Sequence, residues 1–272
     1  MHKTENARSR DLKQIGIVAR YEFLKHLRRK RLYAVLIVSA LIAALQFTVP
    51  LAFNIPFPTE AKNWAYSFLG FIGFLIIITG AFFAGDAIAS EFEHKTGFIV
   101  FPNPVRRSSL VIGKFIAAFA SALLTVSFYY ALGAFAMLGI YGSIPVETAL
   151  SFAYAILYIC SVLGFTFLFS SLLKGSMGAT LLSFFTFFLI FSITSSVITL
   201  TGNEPWYIPT YASGIINDVF NPQQDAVIQV PGSSFRFYTF YPKLPISAII
   251  LSIYFVVTFA LSMVIINRKE MT

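Results

Sequence analysis

Glu91, Glu93 and His94 fall within one short stretch and are residue types that hold a divalent cation. Lys95 follows directly and no further ligand is near, so the group is a poor metal site. The other histidines, His2 and His26, complete no H-E-x-x-H pattern with it. Gly113-Lys114 resembles the close of a phosphate-binding loop, but the upstream glycine loop is missing and Phe115 stands where Ser or Thr belongs. This chain is therefore not expected to hydrolyse nucleotide. A hydroxyl-rich run, Ser192, Thr194, Ser195, Ser196 and Thr199, has no base beside it, which argues against nucleophilic catalysis. Those hydroxyls read as helix-packing groups, with the lining of a translocation path as the functional alternative. Cys160 is single and forms neither an internal disulfide nor a Cys-rich metal site. No catalytic, cofactor-binding or metal-binding residue is assigned.

The elements carrying these residues are membrane spans. Of the 272 residues, 57% are hydrophobic and 12% charged, far from the quarter expected of a soluble domain. Six runs are long enough to cross a bilayer: Leu32–Phe53, Trp64–Gly85, Leu110–Ile140, Thr148–Leu173, Ser176–Leu200 and Ile246–Ile266. None carries an ionisable group near its middle, so the proton relay of a proton-coupled carrier is missing. All but three of the 20 Lys and Arg fall on one side of a six-span topology; the exceptions are Lys62, Arg236 and Lys243. By the positive-inside rule both termini are then cytoplasmic, in a multi-pass protein of the plasma (inner) membrane. The net charge of +8 is mostly this topology signal, and nucleic-acid binding is not expected of a basic cluster that abuts a span.

The expected fold class is all-α integral membrane: six transmembrane helices preceded by an amphipathic interfacial helix. Residues 1–31 form the cytoplasmic N-terminal segment, 32–266 the membrane domain and 267–272 a cytoplasmic tail. In the first segment Leu12, Ile15, Ala19, Phe23 and Leu27 recur at spacings of three and four, which predicts an apolar stripe at the headgroup boundary over Asp11–Arg31. The long loop 201–245 is external and rich in turn formers and aromatics, with a short helix expected over Pro209–Phe220 against the outer surface.

The charged loop 86–109 stands out against this apolar body. Asp86, Glu91 and Glu93 come first, then Thr96-Gly97 and an apolar knob from Phe98 to Phe101. Pro102 and Pro104 break the chain, and Arg106, Arg107 and Lys114 lead back into the membrane. A short helix over Glu91–Phe101 would present the knob, rimmed by charge, to a docking partner. The plainer alternative is an amphipathic loop resting on lipid.

These residues resemble the permease family of the second exporter type in ATP-binding-cassette (ABC) transporters. The family pattern is an acid at the end of the second span, E-x-x-x-G-T-like residues, an apolar stretch, P-x-x-R and L-x-G-K-F. Here it reads Asp86, Glu91, Thr96-Gly97, Phe98–Phe101, Pro104, Arg106 or Arg107, and Leu110 with Gly113-Lys114-Phe115. Permeases of the copper-enzyme-maturation type look similar in size and in the Asp86-Ala-Ile start. The resemblance implies a non-catalytic subunit that moves substrate, by export, through alternating access. It also implies a separate ABC ATPase subunit, holding ATP and Mg, docked on the 86–109 loop. A second permease subunit, identical or closely related, completes the unit within the lipid bilayer. The second and fifth spans would line the path, and their apolar character suits a hydrophobic or lipid-like cargo. An ATP-independent carrier or channel and a non-transporting scaffold are the competing readings.

Overall fold

A computed structural model of the protein describes residues 2–93, 107–229 and 236–269. Six helical segments have the length and apolar character of membrane spans: Lys30–Ala52, Ala61–Glu93, Arg107–Tyr141, Glu147–Leu172, Ser176–Leu200 and Leu244–Arg268. They correspond to the six runs read from the sequence; the fifth has the same bounds, and the second, third and sixth are extended at both ends. A further helix, α1 (His2–Arg28), precedes them, and its chain breaks at Arg29, whose extended backbone starts the first span. The break leaves two helices where the expected interfacial helix continued to Arg31.

The spans are unequally enclosed. Buried residues make up 67% of the most apolar stretch of the second span but only 17% of that of the fifth. The second, third and fourth spans thus form the core, and the first, fifth and sixth present wide apolar faces outward. Such faces are stable only against lipid or another protein.

Core contacts are made close by small residues. A Cβ on Gly80 would lie 2.4 Å from Val162, so the second and fourth spans meet at Gly80. Gly133 of the third span similarly admits Phe68, whose ring stacks on Trp64 and Tyr129 with centroids 4.8 and 4.6 Å away. The Tyr129 hydroxyl donates to the Phe68 carbonyl at 2.7 Å, so the buried polar atom is satisfied. Two spans depart from a plain α-helix. A 3-10 turn at Leu69–Phe71 interrupts the second, and a π-helical stretch at Thr186–Phe191 interrupts the fifth.

The loop between the fifth and sixth spans folds into its own cap. Short helices at Pro209–Ala212 and Ile215–Asp218 precede an antiparallel hairpin of β1 (Ala226–Gln229) and β2 (Arg236–Thr239). The helical part falls within the expected Pro209–Phe220, as two short helices packed against the bundle. Ile208, Ala212, Ile215, Ile216 and Phe220 are buried, and the Ile216 carbonyl accepts a 2.6 Å hydrogen bond from Ser151 of the fourth span. Its apolar residues therefore close the end of the bundle.

Candidate functional site

Charge collects at the end of the bundle where α1 meets the spans. The third span has 35 residues, roughly 50 Å of helix, well beyond a hydrocarbon core of about 30 Å. Its Arg107 end supplies the surface on which α1 packs. Gly113 makes that contact possible: a Cβ there would lie 2.7 Å from the Val18 side chain and 3.1 Å from the Ile15 carbonyl.

The next residue, Lys114, is carried inside and is 3% exposed. Its ammonium donates to the Ala87 carbonyl at 2.7 Å and to Glu91 Oε1 at 2.6 Å, and lies 3.4 Å from Glu22 Oε1. Three oxygens thus surround a group with three donors, the condition under which a buried ammonium is tolerated. Burial raises the Glu22 carboxyl, but Lys114 and Lys25 outweigh it and hold its pKa below the usual carboxylate value.

Asp86 forms a second centre. Its Oδ2 accepts from Arg29 at 2.5 Å and from Arg31 at 2.9 Å, so one carboxylate ties the α1 break and the first span to the second. His26 lies between the two centres, buried and edge-on to Phe83 with ring centroids 5.5 Å apart. Burial pushes its pKa down to about 4, against the pull of Asp86 and Glu22.

The remaining spans attach to the same short segment, 86–93. Ser170 of the fourth span accepts the backbone N–H groups of Ile88 and Ala89, both at 3.0 Å. These are N–H groups at a helix start, which have no partner within the helix. Glu93 accepts the N–H of Ser176 at 2.9 Å and bonds its hydroxyl, placing a carboxylate on the N-terminus of the fifth span. Lys269, just past the sixth span, lies 4.3 Å over the Phe92 ring and donates to the Ser171 carbonyl at 2.8 Å. Arg107 donates to the Lys269 carbonyl at 2.9 Å, closing the circuit to the third span.

Of the loop residues singled out from sequence, Asp86, Glu91, Glu93, Arg107 and Lys114 are brought together here. Thr96, Gly97, Phe98, Phe101, Pro104 and Arg106 lie outside the described residues. Glu91 and Glu93 serve different partners, Lys114 and Ser176, rather than a shared ion. Glu22, His26, Arg29, Arg31, Ser170 and Lys269 complete the network, and no motif in the sequence marks them. The basic ones register there only as topology charges.

The family model described as ABC-2 family transporter protein matches residues 17–271. The chain belongs to the ABC-2 transporter family. No curated protein matches it. This ABC-2 chain is accordingly a permease component, a non-catalytic transmembrane subunit of a kind that works with ABC ATPase subunits and typically binds no cofactor.

Two other groups of residues have defined places in the permease. Ile15, Ala19, Phe23 and Leu27 of α1 are half-buried, and Leu12 is exposed. That helix packs on the third span as well as facing outward. In the fifth span no residue of Ser192–Leu200 is buried. Thr194, Ser196 and Thr199 donate to carbonyls one turn back, at 2.6, 2.9 and 3.0 Å, and Ser192 reaches the Phe187 carbonyl of the π-helical stretch at 3.3 Å. Ser195 is half-buried on the same turn. The run faces out of this chain, so enclosing it requires a second protein surface.

Proposed function

We propose that this permease is driven by a separate ABC ATPase subunit that docks on the connection between the second and third spans. The end bearing α1 faces the cytoplasm, as the distribution of Lys and Arg supports. Closure of the ATPase pair pushes segment 86–93, and the spans tilt to alternate access. Transport is outward, and a second permease subunit faces the first across the hydroxyl-bearing turns of the fifth span. The observation carrying this reading is that segment 86–93 contacts residues of all five other spans or their immediate ends. Arg31, Lys114, Ser170, Ser176 and Lys269 represent the first, third, fourth, fifth and sixth. A push there reaches the whole bundle because packed interfaces shift between discrete arrangements rather than deform smoothly.

The test uses the permease co-purified with its ATPase. Phe101→Asp is expected to leave membrane insertion intact while abolishing cargo-stimulated ATP hydrolysis. Glu91→Lys, which sets two cations against each other in the buried network, is expected to lose stimulation as well, together with stability. Normal stimulation and transport in both variants would overturn the reading. Cargo flux in vesicles containing this chain alone would favour an ATP-independent carrier instead.

A further inference from the structure

The first and fifth spans flank the second and leave a groove of about 370 Å³ between them. Ala34 and Val38 form one wall, Leu181 and Phe184 the other, and Ala81 and Phe82 the floor. The lining presents only apolar atoms, and Val38, Phe82 and Leu181 are each more than a third exposed. At membrane depth such a groove is open to hydrocarbon. Its size falls within the roughly 300–1,000 Å³ of small-ligand sites.

The rim of this groove is cationic. Lys30 lies four residues before Ala34, and Arg31 four before Val35, so both sit one helical turn above the groove on the same face. Asp86 lies one turn beyond Phe82 and meets Arg31 there at 2.9 Å and Arg29 at 2.5 Å. Three cations against one carboxylate leave two positive charges in excess. The Arg29 and Arg31 side chains remain 35% and 48% exposed. A guanidinium has five donors, so donors remain for a phosphate after the bonds to Asp86.

We infer that this groove is a binding site for an anionic phospholipid of the leaflet that the α1 end faces. The acyl chain lies against Val38, Phe82 and Leu181. The phosphate is held by Arg29, Lys30 and Arg31. The bound headgroup then rests on the same Arg–Asp86 centre that ties the first span to the second, which makes the lipid part of the permease rather than bulk solvent. Phe82 and Leu181 belong to the second and fifth spans, so the assignment requires that this groove open to the surrounding lipid and not to the transport path or a second permease subunit.

The experiment reads the full chain by native mass spectrometry after reconstitution into bilayers of equimolar phosphatidylglycerol and phosphatidylcholine. One phosphatidylglycerol per chain should be retained in preference, on the order of thirtyfold, given about 1 kcal/mol for each of the two cations in excess. Lys30→Gln with Arg31→Gln should abolish the preference. Val38→Trp, which fills the groove but leaves every charge, should reduce retention of either lipid, while Val256→Trp on the exposed face of the sixth span should not. Equal retention of both lipids by the unmodified chain would overturn the assignment, and so would unchanged retention in Val38→Trp. A disulfide forming between Val38→Cys of one copy and Leu181→Cys of another would also overturn it, by giving the groove to a second copy of the chain.

Discussion

Lys114 Nζ lies 2.6 Å from Glu91 Oε1, a pair drawn from different spans with side chains 4% and 13% exposed. At that burial, breaking the pair costs far more than the intact pair contributes on balance. Two ions lose much of their hydration there, and their attraction returns it only if every donor is satisfied. Lys114→Met removes the buried cation that Glu91 and Glu22 share, and should destabilise the permease by about 3–5 kcal/mol. The double substitution Lys114→Met with Glu91→Gln should cost clearly less than Lys114→Met alone. Apparent melting temperatures of the four proteins in one detergent check this, and additive losses would show that the two groups are not coupled.

Gly113 and Val18 predict a steric effect in place of an electrostatic one. Because a Cβ on Gly113 meets both the Val18 side chain and the Ile15 carbonyl, trimming Val18 alone does not make room. Gly113→Ala should lift α1 from the third span and cost about 1–3 kcal/mol, in the range of overpacked cores. Cleavage of α1 by added trypsin at Lys13, Arg20 or Lys25 should accelerate in the variant. Unaltered cleavage would mean that α1 docks through other contacts.

These two cases show what the sequence makes legible and what it does not. The spans are readable because each needs about twenty consecutive apolar residues, a signal carried by the local chain. Asp86, Glu91, Glu93 and Lys114 are noticeable because charge is scarce in such a chain. Their partners are not, because pairing is decided by how helices meet: Arg29 reaches Asp86 across 57 positions and Ser176 reaches Glu93 across 83. The stripe of α1 is legible through its periodicity, which reports an apolar face but not whether lipid or protein covers it. Val18 is hidden for the same reason, since only the matching Gly113 gives it meaning. The buried course of Ile208–Phe220 is hidden too, because an apolar loop beside a membrane reads equally as interfacial.

His26 carries a pH dependence whose sign is set by its burial. Its pKa is lowered to about 4 in the folded chain, from 6.5. As pH falls below the unfolded value the unfolded chain takes up a proton that the folded one refuses. The contribution of His26 is therefore fully present above about pH 6.5 and is lost progressively toward pH 4. Over that window the loss is at most about 3 kcal/mol. Asp86, Glu22, Arg29 and Lys25 are the charged groups that act on the imidazole. His26→Gln should flatten the profile of apparent melting temperature against pH between 4 and 6.5; an equally steep profile would assign the acid sensitivity to other groups.

Asp218, at the opposite end of the bundle, predicts the reverse slope. It sits on the short helix Ile215–Asp218, which the cap presses into the bundle, and burial raises its pKa to about 6 from 3.8. The folded chain then holds a proton between those values that the unfolded chain releases, so stability falls as pH rises from about 4 to 6 and is level above. The cavity beside it, about 550 Å³, brings Glu147, Asp225 and Lys243 to the same wall. Glu147 is already paired with Lys62 at 2.5 Å, and Lys243 stands 4.0 Å from Asp225 and 3.8 Å from Glu204. Asp218 is thus the carboxylate whose ionisation the cap opposes. Asp218→Asn should raise the apparent melting temperature at pH 7 and leave it unchanged at pH 4. His26→Gln should show its largest effect at pH 4, so measuring both variants at both pH values separates the two ends of the molecule. A stabilisation by Asp218→Asn that is equal at pH 4 and pH 7 would mean that the carboxylate's charge is not what the cap resists.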